Sequence, residues 1–211
     1  MLCSDCNKPI LPVVAVDIDG TLGQYHVPIQ RFMENFWNLP DLLPSWDGSP
    51  EDQGDYLGLT KDQWRQGKLA YRQGGYKRIM PLYPDAVLMV NELFDSGKVE
   101  VWLTTTRPWQ RLDSVDPDTR FWLNRHGFKY HHLLFGDDKM WDLREIVGDR
   151  VIMVVDDLPE IYDRAEALWP GAAHMVARRH NEATRGERRT TGLIHVYNKI
   201  FNKTGAVQWR S

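Results

Sequence analysis

Short apolar runs rich in β-branched residues recur along this chain, and each of them ends in polar residues. Runs that are apolar at nearly every position are typical of strands buried on both faces, as in a parallel sheet. Four such runs cover residues 13–16, 99–103, 132–135 and 151–155, and a fifth candidate strand covers residues 172–176. The chain is therefore expected to build a largely parallel sheet.

Helical patterns fill the gaps between these runs. The expected core helices cover residues 84–96, 118–126 and 159–168, and a glycine follows each of the first two, as at many helix C-termini. Strands that alternate with helices predict a doubly wound α/β fold. Because crossover connections are right-handed, the C-terminal ends of the strands should meet along one edge of the sheet.

The segment from residue 23 to residue 80 breaks this alternation. It is expected to hold a helix over residues 26–39 and a second over residues 60–73, with Thr60 as the N-cap of the second. Such a segment resembles a small helical cap inserted into the core. The predicted parts of the chain are thus an N-terminal segment (1–12), a core (13–22 and 81–211) and a helical cap (23–80).

Composition excludes several classes of protein. With 26 Lys and Arg against 29 Asp and Glu, the net charge of −3 excludes a globally basic nucleic-acid binder but leaves room for a local basic patch. No apolar run approaches the roughly 20 residues of a membrane span, and no signal peptide is readable. Two cysteines cannot form a disulfide framework. We expect a cytoplasmic protein with no membrane partner; the sequence indicates no oligomeric state.

Carboxylates follow two of the predicted strands. Asp17 and Asp19 are separated by one residue, so both can face the same loop, where one could attack phosphorus while the other donates and later accepts a proton. Asp156 and Asp157 follow another strand and would supply the oxygen ligands that a hard cation such as Mg²⁺ needs. The pattern predicts phosphoryl chemistry at the edge of the sheet.

Other polar residues follow the remaining strands. The Thr105 hydroxyl and the Thr106 amide could bind phosphoryl oxygens, and Lys139 would neutralise negative charge in the transition state. Arg107 could grip a second phosphate. Ligands of such sheets bind outside the strand C-termini, where these groups should converge. The candidates for substrate contact are Gly20, Thr21, Thr106 and Arg107, beside the catalytic candidates Thr105 and Lys139.

Four short motifs resemble those of the haloacid dehalogenase superfamily of aspartate-nucleophile phosphatases. They are Val-Ala-Val-Asp-Ile-Asp-Gly-Thr-Leu around Asp17, Leu-Thr-Thr-Thr-Arg around Thr105, Lys139 itself, and Val-Val-Asp-Asp ending at Asp157. The resemblance implies that Asp17 is a nucleophile that forms an aspartyl-phosphate and that Asp19 is the general acid and base. It also implies that Thr105 binds the phosphoryl group and that Lys139 steadies it.

The same resemblance implies a Mg²⁺ ion. Its ligands would be the Asp17 side chain, the Asp19 backbone carbonyl and one aspartate of the fourth motif. We expect Asp157 to be the direct ligand, with Asp156 acting through water or Lys139; the reverse order is the alternative.

The predicted cap favours a small phosphate ester, because a cap closes over its pocket. The run of residues 74–86 resembles the link into the core of 5′(3′)-deoxyribonucleotidases, which implies a nucleoside monophosphate whose base stacks on cap aromatics. Aromatic residues at helical spacing are also typical of a cap's own core. The candidates for stacking are Tyr25, Phe32, Phe36, Trp37, Trp64 and Tyr71.

A nucleic-acid end is the alternative substrate. Residues 105–107 resemble the Ser-Gly-Arg of polynucleotide 3′-phosphatase domains, and a basic stretch over residues 178–189 could steer a polyanion. A solvated charged loop would give the same stretch. The basic residues in question are Arg178, Arg179, Arg185, Arg188 and Arg189.

Cys3 and Cys6 resemble one knuckle of a zinc ribbon whose second pair of cysteines is missing. A structural Zn²⁺ would have to recruit histidines; two free thiols are the alternative. With zinc present, the chain could instead be a non-catalytic zinc-knuckle or nucleotide-binding module. The histidine candidates are His131 with His132, or His174 with His180.

Overall fold

The sheet is six-stranded and parallel throughout. The computed structural model describes residues 10–39, 43–46, 52–107, 112–182 and 189–201, with side chains to residue 197. The strands run in the order β3-β2-β1-β4-β5-β6, so their C-terminal ends share one edge. Their bounds are β1 Val13–Asp17, β2 Glu100–Thr105, β3 His132–Phe135, β4 Val151–Asp156, β5 Ala173–Val176 and β6 Arg189–Thr190. The predicted α/β fold class is confirmed.

Helices flank this sheet. Of the expected core helices, the last has the predicted bounds, while the middle one begins three residues early because Pro117 is tolerated in a first helical turn. A helix after β3 was not expected; the Asp138 side chain caps it by accepting a hydrogen bond from the Trp141 amide. The bounds are α4 Ala86–Asp95, α5 Val115–Arg125, α6 Lys139–Val147, α7 Pro159–Leu168 and α8 Ile194–Phe201.

Strand β1 lies at the centre of the sheet and is buried along its whole length. Its alternate residues face opposite sides, as the pleat requires. Val14 and Val16 join the hydrophobic cluster on one face of the sheet, and Val13 and Ala15 join the cluster on the other. This double burial explains why the run is apolar at every position.

The segment between β1 and α4 forms three helices, α1 (His26–Phe36), α2 (Gln53–Tyr56) and α3 (Lys61–Gln73). They pack around a hydrophobic cluster of their own. Thr60 caps α3 as predicted: its side chain accepts from the Gln63 amide and its amide donates to the Gln63 side chain. Helix α1 ends three residues earlier than expected, just before Asn38, whose φ of 49° is incompatible with a continuing helix.

None of the helices in these described ranges has the length and apolar character needed to cross a bilayer. The longest, α3, has 13 residues and carries several charges.

Trp122 on α5 fastens the end of the inserted segment to the core. It is fully buried, and its indole N–H donates to the Met80 carbonyl at 2.6 Å.

We expect Trp122→Ala to lower the free energy of unfolding by about 3–5 kcal/mol through the cavity it leaves. Trp122→Phe should cost about 1–3 kcal/mol, because it leaves a buried carbonyl unpaired. Urea denaturation measures both, and a Trp122→Phe variant as stable as the parent would contradict the role of the hydrogen bond.

Candidate active site

A tight loop after β1 sets the positions of the first two carboxylates. The Gly23 amide donates to the Ile18 carbonyl and the Gly20 amide donates to the Gly23 carbonyl, both at 2.8 Å. Gly20 has a φ of +95°, and a Cβ there would lie 2.2 Å from an Asp157 oxygen. Only glycine suits both conditions, so the predicted contact residue Gly20 is the point where β1 and β4 approach each other.

Lys139, the first residue of α6, joins the ends of β1 and β4. Its side chain is 1% exposed, and its Nζ donates to Asp17 Oδ1 at 2.5 Å and to Asp156 Oδ2 at 2.6 Å. Burial disfavours the ammonium, but the two carboxylates outweigh that effect and raise the pKa of Lys139. The lysine is therefore held charged between them.

Three carboxylates meet at this point. Oxygens of Asp17, Asp156 and Asp157 lie within 4.8 Å of one another. Burial, together with the charges of Asp156 and Asp157, raises the pKa of Asp17 well above its ordinary value, although Lys139 opposes the shift. Oδ2 of Asp17 is buried and has no hydrogen-bond partner among the described residues. An unpartnered carboxylate oxygen in such a cluster fits a divalent cation, which would also hold the carboxylates ionised.

Two histidines flank Asp157. His180 Nε2 lies 2.9 Å and His26 Nε2 lies 3.9 Å from Asp157 Oδ2, while the Thr21 hydroxyl donates to Oδ1 at 3.1 Å. Burial alone would raise the pKa of Asp157, but the imidazoles outweigh it and hold this pKa well below the ordinary range. Neither histidine was predicted here, because the chain separates them by more than 150 residues and only the fold joins them.

Asp19 is clamped by two cations from different parts of the chain. Arg107 forms a two-pronged pair with it, Nε to Oδ2 at 2.8 Å and Nη2 to Oδ1 at 2.5 Å, and Lys77 Nζ donates to Oδ2 at 2.7 Å. Burial opposes ionisation, but the two cations hold the pKa of Asp19 well below its usual range. Tyr25 covers Lys77, with its ring centroid 3.5 Å from Nζ. In this structure Arg107 thus binds a carboxylate in the place where a second phosphate was expected.

The threonines after β2 differ in exposure. Thr105 is buried at the end of the strand, whereas Thr106 is exposed beside it. The structure therefore brings every predicted catalytic, substrate-contact and metal-ligand residue to the same edge of the sheet. Lys77, which was not among the predicted site residues, lies in the run of residues 74–86 whose pattern resembles a link between cap and core.

The basic stretch after β5 is used internally where the structure describes it. Arg178 donates to the Gly20 and Thr21 carbonyls at 2.7 and 2.8 Å, and Arg189 donates to the Asn181 side chain at 3.0 Å. Asn181 in turn donates to the Asp157 carbonyl at 2.8 Å. These arginines brace the site and do not form a free surface for a polyanion; Arg185 and Arg188 lie outside the described residues.

The zinc prediction is not supported. Cys3 and Cys6 lie outside the described residues. Of the proposed histidine ligands, His131 already accepts a hydrogen bond from the Val101 amide at 3.0 Å, and His180 lies at the opposite edge of the sheet from the start of β1. These histidines have other partners.

The aromatic side chains of the inserted segment line two cavities. One of about 510 Å³ is bordered by Phe32, Phe36 and Tyr71. The other, of about 400 Å³, is bordered by Tyr25 and Trp64. Of the predicted stacking residues, Trp37 packs against the hydrophobic cluster of the inserted helices and borders neither cavity.

No protein-family model and no curated protein matches this sequence. Solved structures do match. A haloacid dehalogenase-like family hydrolase from Streptococcus pneumoniae has a TM-score of 0.62 at 15% identity, covering 90% of this chain and 98% of that one. A predicted phosphatase from Clostridium acetobutylicum has a TM-score of 0.62 at 14% identity, covering 92% and 100%. A predicted phosphoglycolate phosphatase from Haemophilus somnus has a TM-score of 0.61 at 15% identity, covering 90% and 98%.

A structural similarity with only 14–15% sequence identity shows that two chains share a fold. The fold implied by the four motifs, that of the haloacid dehalogenase-like hydrolases, is therefore confirmed. The closer resemblance to 5′(3′)-deoxyribonucleotidases is not supported by these neighbours and stays a prediction.

We expect Lys139→Met to lower the free energy of unfolding by about 3–5 kcal/mol at pH 8 in EDTA, because two buried carboxylates lose their cation. The pKa values of Asp17 and Asp156 are already raised in the folded protein. Carboxyl groups with raised folded-state pKa values bind protons more readily in the folded than in the unfolded chain, so stability is gained as pH falls. The deficit of the variant should therefore shrink between pH 8 and pH 5.

Urea denaturation at several pH values measures this effect. Lys129→Met is the matched control, since Lys129 pairs with Asp95 on the surface and should contribute less than about 1 kcal/mol. A deficit that stays constant from pH 8 to pH 5 would contradict the assignment of Lys139 as the counter-ion of buried carboxylates.

Proposed function

We propose that this protein is a phosphomonoester hydrolase that acts through an aspartyl-phosphate on Asp17. The observation that carries the proposal is the unpartnered, buried oxygen of Asp17 beside Lys139, at the sheet edge where ligands of α/β folds bind. The likeness in fold to hydrolases and phosphatases supports it.

The carboxylate cluster fits Mg²⁺, which prefers oxygen ligands. We assign the direct contacts to the side chains of Asp17 and Asp157 and to the Asp19 carbonyl. Asp156 is less suited, because Lys139 and the Leu158 amide donate hydrogen bonds to its two oxygens. Oδ2 of Asp157 accepts no hydrogen bond among the described residues, although His180 Nε2 lies 2.9 Å from it. When bound, the ion supplies positive charge that lets an anionic carboxylate approach an anionic phosphate.

In the first step, the Asp17 carboxylate forms a bond to phosphorus while the ester oxygen leaves. Asp19 donates a proton to that oxygen, and Lys139 and the Thr105 hydroxyl stabilise the charge on the transferring group. In the second step, Asp19 takes a proton from water, which attacks phosphorus and regenerates the Asp17 carboxylate. Inorganic phosphate is released.

Asp19 can donate a proton only when its two cations are diverted. A phosphate monoester carries up to two negative charges and would compete with Asp19 for Lys77 and Arg107, which both bind the Asp19 carboxylate. Binding of the substrate would thus release Asp19 from the clamp at the moment when its proton is required.

We further propose that the substrate is a nucleoside monophosphate and that residues 23–80 act as a cap over the core. The cavity of about 510 Å³ supports this proposal, since its lining includes Phe32, Phe36, Tyr71 and Tyr76 of the inserted segment and Pro81 of the core. Phe36 is 47% exposed and stacks on Phe32 with 5.3 Å between ring centroids, so a base that contacts its exposed part would extend this aromatic stack. A cytoplasmic location stays a prediction.

Asp17→Asn should abolish phosphate release, because an amide is a poor nucleophile and a weaker ligand for the cation. The assay measures phosphate release with Mg²⁺ and with EDTA. Its substrates are deoxy- and ribonucleoside monophosphates, sugar phosphates and a 3′-phosphorylated oligonucleotide. Asp163→Asn on the exposed side of α7 is the control and should retain full activity. Turnover by Asp17→Asn near that of the unmodified protein would exclude the covalent mechanism.

Phe36→Ala should raise the KM for nucleoside monophosphates about tenfold, which corresponds to the loss of roughly 1.4 kcal/mol of stacking. Its effect on ribose 5-phosphate, which lacks a base, should be less than about twofold. Steady-state kinetics with both substrates distinguish the two effects. An equal loss on both substrates would mean that Phe36 supports the segment and does not contact a base.

A further inference from the structure

Helix α3 carries a row of cations along one side. Lys61, Arg65, Lys68 and Arg72 recur at intervals of three or four residues and therefore share a face of the helix. All four line the cavity of about 400 Å³, together with Tyr25, Gln53 and Trp64. No Asp or Glu appears among the described side chains that line it. We call this cavity the α3 groove.

The positive charge of the α3 groove is poorly compensated. Burial, followed by the charges of Arg72 and Arg65, lowers the pKa of Lys68. The Nε of Arg72 is buried and has no hydrogen-bond partner in the described part of the chain. Within the described ranges, the one ion pair of the row joins Asp62 and Arg65 at 3.6 Å, and because both side chains are exposed it contributes little. Such an arrangement favours an anionic ligand.

The inner end of the α3 groove reaches the candidate active site. Tyr25 lines the groove, and its ring covers Lys77, which in turn binds Asp19 at 2.7 Å. The cations of α3 therefore continue outward from the place where a phosphate ester would react.

We propose that the α3 groove binds the phosphodiester chain of a single-stranded nucleic acid whose terminal phosphate occupies the Asp17 site. The inference rests on the proposed phosphatase function and names a wider substrate class for it. At 1.5 Å per residue, the row from Lys61 to Arg72 spans about 16 Å, which is too long for one phosphate. Trp64 lines the groove and supplies an aromatic surface of the kind on which bases stack, whereas one face of the Tyr25 ring is already occupied by Lys77.

This assignment differs from the one that the sequence suggested. The basic stretch after β5 spends Arg178 and Arg189 on internal hydrogen bonds. Within the described residues, the cations of α3 that line the groove remain available to a polyanion.

The test uses an eight-residue oligodeoxythymidylate with a 3′-phosphate and, beside it, thymidine 3′-monophosphate. The variant Lys61→Gln/Arg65→Gln/Lys68→Gln removes three charges from the α3 groove and none from the catalytic residues. The control Lys98→Gln/Arg125→Gln/Lys129→Gln removes three exposed charges at the opposite edge of the sheet. Circular dichroism and thermal melts establish that both variants fold.

Affinity is measured separately from catalysis, by fluorescence anisotropy of the labelled oligonucleotide bound to Asp17→Asn protein. Three phosphate contacts on a single strand predict that affinity falls about 20-fold between 50 and 200 mM salt. In the groove variant the fall should be less than about threefold, and affinity at 50 mM salt should be at least tenfold lower. The control should bind as the parent does.

Kinetics complete the test. We expect the groove variant to lose at least tenfold in kcat/KM on the oligonucleotide and less than about twofold on the monophosphate. Undiminished binding of the oligonucleotide by the groove variant would overturn the inference, as would an equal loss on both substrates. If neither substrate is hydrolysed but binding follows the predicted salt dependence, the proposed function fails while the groove assignment stands.

Discussion

A single buried ammonium group holds together the strand ends on which the candidate site depends. Lys139 Nζ lies between Asp17 at the end of β1 and Asp156 at the end of β4. Two carboxylates at this depth would repel each other and resist ionisation without it. The same group that stabilises the sheet edge also opposes the rise in the pKa of Asp17, the proposed nucleophile, so stability and chemistry depend on one contact.

The second constraint is the clamp on Asp19, because its two cations come from different parts of the chain. Arg107 follows β2 in the core, whereas Lys77 follows α3 in the inserted segment. The segment that carries the inserted helices thus contributes a buried charge to the candidate active site as well as the walls of two cavities. Any displacement of those helices alters the electrostatics around Asp19.

The sequence was sufficient to predict the parallel sheet and the convergence of Asp17, Asp19, Lys139 and Asp157, because apolar strands followed by polar residues are a local signal. It was not sufficient for contacts that depend on distant parts of the chain. His26 and His180 carry no local pattern that joins them to Asp157. The basic character of residues 178–189 suggested a surface, but hydrogen bonds to carbonyl groups determine what Arg178 does.

The bracing of Asp157 by residues near the end of the chain has a consequence during synthesis on the ribosome. The loop that carries Asp17 and Asp19 is made first, yet its carbonyls are bound by Arg178, and the Asp157 carbonyl is bound by Asn181. Contacts over such separations form late, because a long loop must close before they exist. The site in a growing chain therefore remains incomplete until residues 178–181 have emerged.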